Sequence, residues 1–224
     1  DGTVTFVPEP SFTGTAPAVT VVREDKNGTK ASATYTPSVT PITVTPTDKV
    51  SADVQNVPQT QTPTFDLSND KTAEITSKKL VDPATGQPTD ETTVTVAGEG
   101  SYTIDPTTGA VTFTPEKDFV GTAKGVTVQA TATITNANGK TATITSDATY
   151  TPTVVAAVPT AQPATSKDIQ GATQTGKPVF TEGDPNVPID EDTPATFEDG
   201  STTKTVDGEG TYTVSPDGTV TFVP

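Results

Sequence analysis

A chain of 224 residues is long enough for one or two ordinary domains. It holds no Cys, Met, Trp or His, which removes disulfides, thiolate nucleophiles and the one side chain that titrates near neutral pH. Its formal charge of −15 repels phosphate backbones and anionic lipid, so nucleic acid and membrane surfaces are disfavoured as partners.

Thr is the commonest residue, roughly a fifth to a quarter of the chain. Branching at Cβ stiffens Thr and Val and suits them to a pleated surface. The 21 Pro and 17 Gly are spread throughout, and they break helices and punctuate strands. The composition therefore predicts an all-β chain. Only 30% of residues are hydrophobic, so any core is thin and one face of each sheet is wet. Low hydrophobicity with high net charge also fits disorder. The period-two alternation of Val4-Thr5-Phe6 and of Ile104 to Phe113 argues instead for half-buried strands.

In chain order, residues 1 to 8 read Asp-Gly-Thr-Val-Thr-Phe-Val-Pro, a predicted strand, followed by Phe12-Thr-Gly-Thr-Ala16. Asn27-Gly28 predicts the tip of a hairpin, with both residues at positive φ. Ala33-Thr-Tyr-Thr-Pro37 closes this part, and a Pro-punctuated stretch runs from Pro37 to Pro46. Next come Asp53-Val-Gln55, Gln59-Thr60 and Pro63-Thr-Phe65. Gly98-Glu-Gly-Ser-Tyr-Thr-Ile104 leads through Asp105-Pro-Thr-Thr-Gly109 into Ala110-Val-Thr-Phe-Thr114, a second predicted hairpin with ordinary turn residues. Phe119-Val-Gly-Thr-Ala123, Asn138-Gly139 and Ala148-Thr-Tyr-Thr-Pro152 then repeat the earlier motifs, and a second Pro-rich stretch ends at Pro163. Asp168-Ile-Gln170, Gln174-Thr175, Pro178-Val-Phe180, Gly208-Glu-Gly-Thr-Tyr-Thr-Val214 and Ser215-Pro-Asp-Gly218 follow, and residues 217 to 224 are the opening octapeptide again.

Self-similarity at this spacing defines a unit of about 110 residues. The expected organisation is the C-terminal part of one repeat at 1–41, a complete repeat at 42–156 and the N-terminal part of the next at 157–224. Short Pro-rich linkers space them semi-rigidly, end to end. Seven or eight short strands per unit predict a two-sheet, Ig-like β-sandwich. The cut units are expected to leave strand edges unpaired, and so to be disordered or to complement each other between molecules. One difference between copies is informative. The second hairpin is four residues longer on each arm, comparing Val19–Asn27 with Val126–Asn138 and Gly28–Tyr35 with Gly139–Tyr150. Equal, even insertions lengthen a hairpin without moving any side chain to the other face.

Catalytic residues are not evident. Ser and Thr lack a recognisable activator, and paired carboxylates are the one hydrolytic chemistry the composition leaves open. The run from Glu182 to Asp199 holds Asp184, Asp190, Glu191, Asp192, Glu198 and Asp199. Its oxygens could ligate Ca²⁺ and rigidify a stalk, but the spacing is not that of an EF-hand, and a solvated acidic loop is the expectation. Gly98-Glu99-Gly100 could suggest a phosphate cradle, yet no helix follows, so it reads as a turn or bulge entering a strand. Every aromatic falls at a recurring apolar position and is expected in the core: Phe6 with Phe113 and Phe222, Phe12 with Phe119, Phe65 with Phe180, Tyr35 with Tyr150, Tyr102 with Tyr212. Phe197 falls opposite Leu80 in the comparison of copies.

Residues 98–106, 109–115 and 119–123 resemble the CshA-type fibril repeat of streptococcal surface adhesins, and the other copies extend the resemblance over the whole chain. The resemblance implies a wall-anchored extracellular fibril on a Gram-positive cell. Its repeats space an adhesive region from the wall, and the parent protein attaches to host matrix or other microbes. Direct binding by the repeats is the alternative. No enzymatic activity, cofactor or metal is expected, and adjacent repeats are the expected partners. Stalk domains of such bacteria often carry Lys–Asn isopeptide bonds. No Lys recurs in register here, so none is expected. A Thr–Gln ester stays open because Gln55/Gln170 and Gln59/Gln174 recur; the competing role is strand or junction hydrogen bonding.

Overall fold

The computed structural model describes residues 1–224 and contains strands and turns but no helix. In the first segment lie β1 (Gly14–Thr15), β2 (Val19–Glu24), β3 (Lys30–Tyr35) and β4 (Ser38–Val39). The segment 42–156, expected to be the complete repeat and so named below, holds β5 (Val44–Thr47), β6 (Lys49–Val54), β7 (Gln59–Gln61), β8 (Thr64–Leu67), β9 (Ala73–Leu80) and β10 (Thr93–Val96). It continues with β11 (Gly100–Ile104), β12 (Val111–Pro115), β13 (Gly121–Thr122), β14 (Val126–Thr135) and β15 (Thr141–Val155). The last segment holds β16 (Thr160–Gln162), β17 (Gln174–Gly176), β18 (Val179–Thr181), β19 (Thr203–Val206), β20 (Gly210–Val214) and β21 (Val220–Val223). The complete repeat therefore has more strands than the seven or eight expected. The surplus is short pieces such as β5, β8 and β13, where connecting segments pair briefly with a neighbour.

Contacts gather the chain into two compact units: Asp1–Asp53 with Pro58–Thr153, and Val54–Val57 with Val154–Pro224. The first contains a two-sheet sandwich. One sheet has the order β10-β11-β12-β7; the other has β13-β15-β14-β9, with β6 also pairing β15. Alternation decides which side chains meet. Along β14, Val126, Val128, Ala130 and Ala132 are buried. Along β11 and β12, Tyr102, Ile104, Val111 and Phe113 are buried. The two faces touch through Tyr102 and Tyr150, whose ring centroids lie 6.4 Å apart at 88°, while Tyr102 lies 4.8 Å from Phe113 on its own sheet. Alanines fill much of the remaining interior. A core this thin depends on three large rings.

Both predicted hairpins at Asn-Gly form. β2 and β3 pair from Val19↔Tyr35 to Glu24↔Lys30, and β14 and β15 pair from Val126↔Tyr150 to Thr135↔Thr141. They start at the same repeat position, and the second adds four pairs, as even insertions require. The tips correct the sequence expectation. Only Gly28 (φ 85°) and Gly139 (φ 78°) are left-handed; the asparagines are not. The loop is one residue longer than a two-residue turn and is closed by a side chain. Asn136 Oδ1 accepts from the Asn138 and Lys140 amides, each at 3.0 Å, and Asp25 Oδ1 does the same for Asn27 and Thr29 at 2.8 Å. A carboxylate or amide three residues before the glycine thus replaces the second positive φ. The other predicted hairpin joins β11 to β12, where Asp105 Oδ1 caps Thr107 at 2.8 Å. Its counterpart joins β20 to β21 through Ser215 and Gly218.

The opening octapeptide is a second correction. At 217–224 it contains β21, hydrogen-bonded to β20 on one side and β17 on the other. At 1–8 the same eight residues form no strand and pair with none. The aromatic prediction needs the same qualification. Tyr102, Phe113 and Tyr150 are wholly buried in the complete repeat, but Phe6 is 38% exposed, Tyr35 40% and Phe180 56%. Those rings lack the second sheet that covers their counterparts. In the second unit β16 pairs β18, and a four-stranded sheet runs β17-β21-β20-β19. There Tyr212 stacks on Phe222 at 4.5 Å.

Candidate functional site

The acidic run was the one segment with the residue types of a cation site. Three of its carboxylates are occupied locally. Asp184 Oδ1 accepts from the backbone amide and side chain of Asn186 at 2.8 and 2.9 Å. Asp190 caps Asp192 and Thr193, and Asp199 accepts from the Ser201 amide and hydroxyl at 2.9 and 2.6 Å. No three acidic side chains in the chain gather as metal ligands would. The Gly98-Glu99-Gly100 motif is the tight turn between β10 and β11, as read from the sequence. Glu99 is buried there, and both carboxylate oxygens accept from the Lys124 amide, at 3.2 and 3.0 Å. It ties the turn of one sheet to the strand entry of the other.

Three of the four recurring glutamines, Gln55, Gln59 and Gln174, make side-chain hydrogen bonds. Gln59, 4% exposed, donates from Nε2 to the Thr153 carbonyl at 2.9 Å and accepts at Oε1 from the Ser51 hydroxyl at 2.5 Å. Ser51 in turn lies 2.7 Å from the Tyr150 hydroxyl. One part-buried chain of polar groups therefore links β7 of the first sheet to β15 of the second. The third segment repeats its first link, with Ser166 donating to Gln174 at 2.8 Å. Gln55 serves the junction. Its amide donates to Val155 O at 3.0 Å, and its Oε1 accepts from Ala157 N at 3.0 Å. The recurring Gln was visible in the sequence; Ser51 and Tyr150 as its partners were not. Replacing Gln59 by Leu removes the side-chain donor to the Thr153 carbonyl and leaves Ser51 with Tyr150 alone. It should cost about 1–3 kcal/mol, read as a lowered denaturant midpoint with an unchanged m-value.

Burial pushes the Tyr102 phenol well above its ordinary range, and the nearby Glu99 charge adds to the shift. Burial also raises Tyr150, opposed by its bond to Ser51. Both groups favour the protonated form in the folded chain. Their contribution is complete below about pH 10 and is lost as pH rises above it. Alkaline titration should show tyrosinate absorbance for these two rings only together with loss of β-sheet ellipticity. Ionisation without unfolding would contradict their burial.

One recurring surface feature was missed in the sequence. Thr93, Thr103, Thr112 and Thr60 stand in register across all four strands of the first sheet, on its outer face. Thr203, Thr213, Thr221 and Thr175 repeat the row across the sheet of the second unit. The hydroxyls pair across strands, Thr60 with Thr112 at 2.8 Å and Thr93 with Thr103 at 2.9 Å, which stabilises a sheet edge to edge. Strand alternation alone would have revealed the row, had the four strands been placed side by side.

The fold and its surfaces define a class: a tandem all-β repeat whose shared residues are interior, turn or cross-strand groups. The family model of the surface adhesin CshA repetitive domain matches residues 1–39, 41–154 and 156–224. The chain belongs to that family; it is a repeat module of a surface adhesin, and the family places it at the cell surface. The family is not one of enzymes. No curated protein matches the chain.

Proposed function

We propose that the chain is spacer: stalk repeats of a wall-anchored fibril on a Gram-positive cell, holding an adhesive region away from the wall, without catalysis. The repeat units assigned are 1–41, 42–156 and 157–224. The observation that carries this reading is the relation between β6 and β15. Val44 O accepts from Ser146, Asp48 from the Thr149 amide, and Ser51 meets Tyr150, with Gln59 further along at Thr153. Partner numbers rise together, so the segment from Val44 through Ser51, which runs into β6, lies parallel to β15. The chain enters the repeat beside Ser146, midway along β15, and leaves at the strand's C-terminal end. From Ser146 to the end of β15 at Val155 that is about 30 Å at ~3.3 Å per residue. A repeat so threaded adds length with each copy. A parallel pair of terminal strands also takes tension as shear, stretching its bonds together instead of peeling them one by one. Net negative charge keeps such an array soluble and self-repelling.

A second reading, direct binding by the repeats to host matrix protein, glycan or a neighbouring fibril, is favoured by the recurring threonine row. Immobilising the chain and passing matrix proteins and whole partner cells over it separates the two. The spacer reading expects no saturable binding. Saturable, salt-resistant binding that is lost when Thr60, Thr93, Thr103 and Thr112 become Lys would replace it with the second.

A further inference from the structure

The longer hairpin reaches a neighbour. At the tip of β14–β15, Asn136 Nδ2 donates to the Pro8 carbonyl at 2.9 Å, and Lys140 Nζ lies 2.7 Å from Glu9 Oε1. Ile134, just below the tip, lines a small cleft with Pro8, Phe12 and Ile42. Pro8, Glu9 and Phe12 lie in the segment read as the repeat before, and Ile42 lies at the start of the hairpin's own repeat. All of these groups lie in one compact unit.

The short hairpin lacks each part of this grip. Its ladder stops four pairs earlier, and those pairs are where Ile134 sits. At the position of Asn136 it has Asp25, which closes the tip in the same way through Oδ1 but has no N–H to donate. At the position of Lys140 it has Thr29, with no charge for a Glu. Length, donor and charge change together between the two copies. Closing the turn does not require any of the three, since Asp25 closes it without them.

We propose that the long hairpin is a brace that clasps the preceding repeat, and that hairpin length decides which joints of the array are stiff. The partner is the Pro8–Phe12 segment of the neighbouring repeat. The ion pair contributes least, because Lys140 and Glu9 are 61% and 63% exposed. The part-buried Asn136 bond and the apolar cleft carry the clasp. An array that mixes long and short hairpins then has rigid and free joints written repeat by repeat. The brace stands on this chain's contacts; its use in a fibril rests on the spacer reading.

The chain has no cysteine, so Asn27→Cys and Thr107→Cys give two unique spin-label sites, one in each repeat. Double electron–electron resonance should return a narrow distance distribution for the parent sequence. The pair Asn136→Asp with Lys140→Thr copies the short hairpin's chemistry and keeps the turn closed. It should widen the distribution by about two-fold or more with the melting temperature nearly unchanged. Removing residues 132–135 and 141–144, which shortens the ladder in register, should widen it likewise. An unchanged width in both variants, or a broad distribution in the parent, would overturn the brace. Either result leaves the binding assay, and so the spacer reading, untouched.

Discussion

Phe113→Ala should destabilise the complete repeat by about 3–5 kcal/mol. Phe113 is wholly buried on β12, 4.8 Å from Tyr102 and 6.4 Å from Phe119 between ring centroids. Most of the other buried apolar residues are alanines and valines, short side chains that fill a cavity poorly, so relaxation recovers little. Domains of this size are stable by about 5–15 kcal/mol in all. The substitution therefore removes a large part of the margin and should lower the melting temperature by more than about 10 °C. The same change at Phe6, which is 38% exposed, should cost far less. Equal losses at the two positions would show that the ring's repeat position, and not its burial, sets its value.

Gly100→Ala should be nearly as damaging, for a different reason. Gly100 opens β11 at φ 151°, and a Cβ there would overlap the Thr114 carbonyl oxygen and lie 2.8 Å from Phe113 Cε2 and 2.9 Å from Pro115 Cα. Two of those atoms are backbone of the paired strand β12, which cannot rotate away. Overpacking and the unfavourable φ together should cost about 2–5 kcal/mol. Gly210 repeats the arrangement against Val223 and Pro224 at the same φ. Gly98→Ala, where nothing stands within 4 Å of the added methyl, pays only for its φ of 79° and serves as the control. Comparing urea midpoints of the two variants separates steric overlap from backbone preference.

Much of this structure was legible in the sequence because repeats supply an internal alignment. The extra four residues on each hairpin arm predicted the extra four pairs, since register in a sheet is arithmetic. The Asp105 and Ser215 turns followed from local chemistry. The octapeptide shows the limit. Residues 1–8 and 217–224 are identical in sequence and differ in structure, because a strand is defined by its partner and local alternation cannot supply one. The tip of the hairpin was misread for a related reason. Asn-Gly suggested both central residues, but Asp25 and Asn136, two residues earlier, took over closure. Gln59 was singled out by recurrence alone; the carbonyl and hydroxyl it bonds are far off in the chain, at Thr153 and near at Ser51, and only packing brings them together. The clasp of Asn136 on Pro8 spans more than a hundred residues, so the sequence could flag the longer hairpin without naming its target.

The shared rings of the complete repeat are closed between two sheets and so withheld from ligands. Nitration of the folded chain with tetranitromethane, followed by peptide mass spectrometry, tests this directly. Tyr35, 40% exposed, should be modified, while Tyr102 and Tyr150 stay unmodified until the chain is denatured. Ready nitration of Tyr102 or Tyr150 under native conditions would mean an open cleft where a sealed interior is described, and the spacer reading would fall with it.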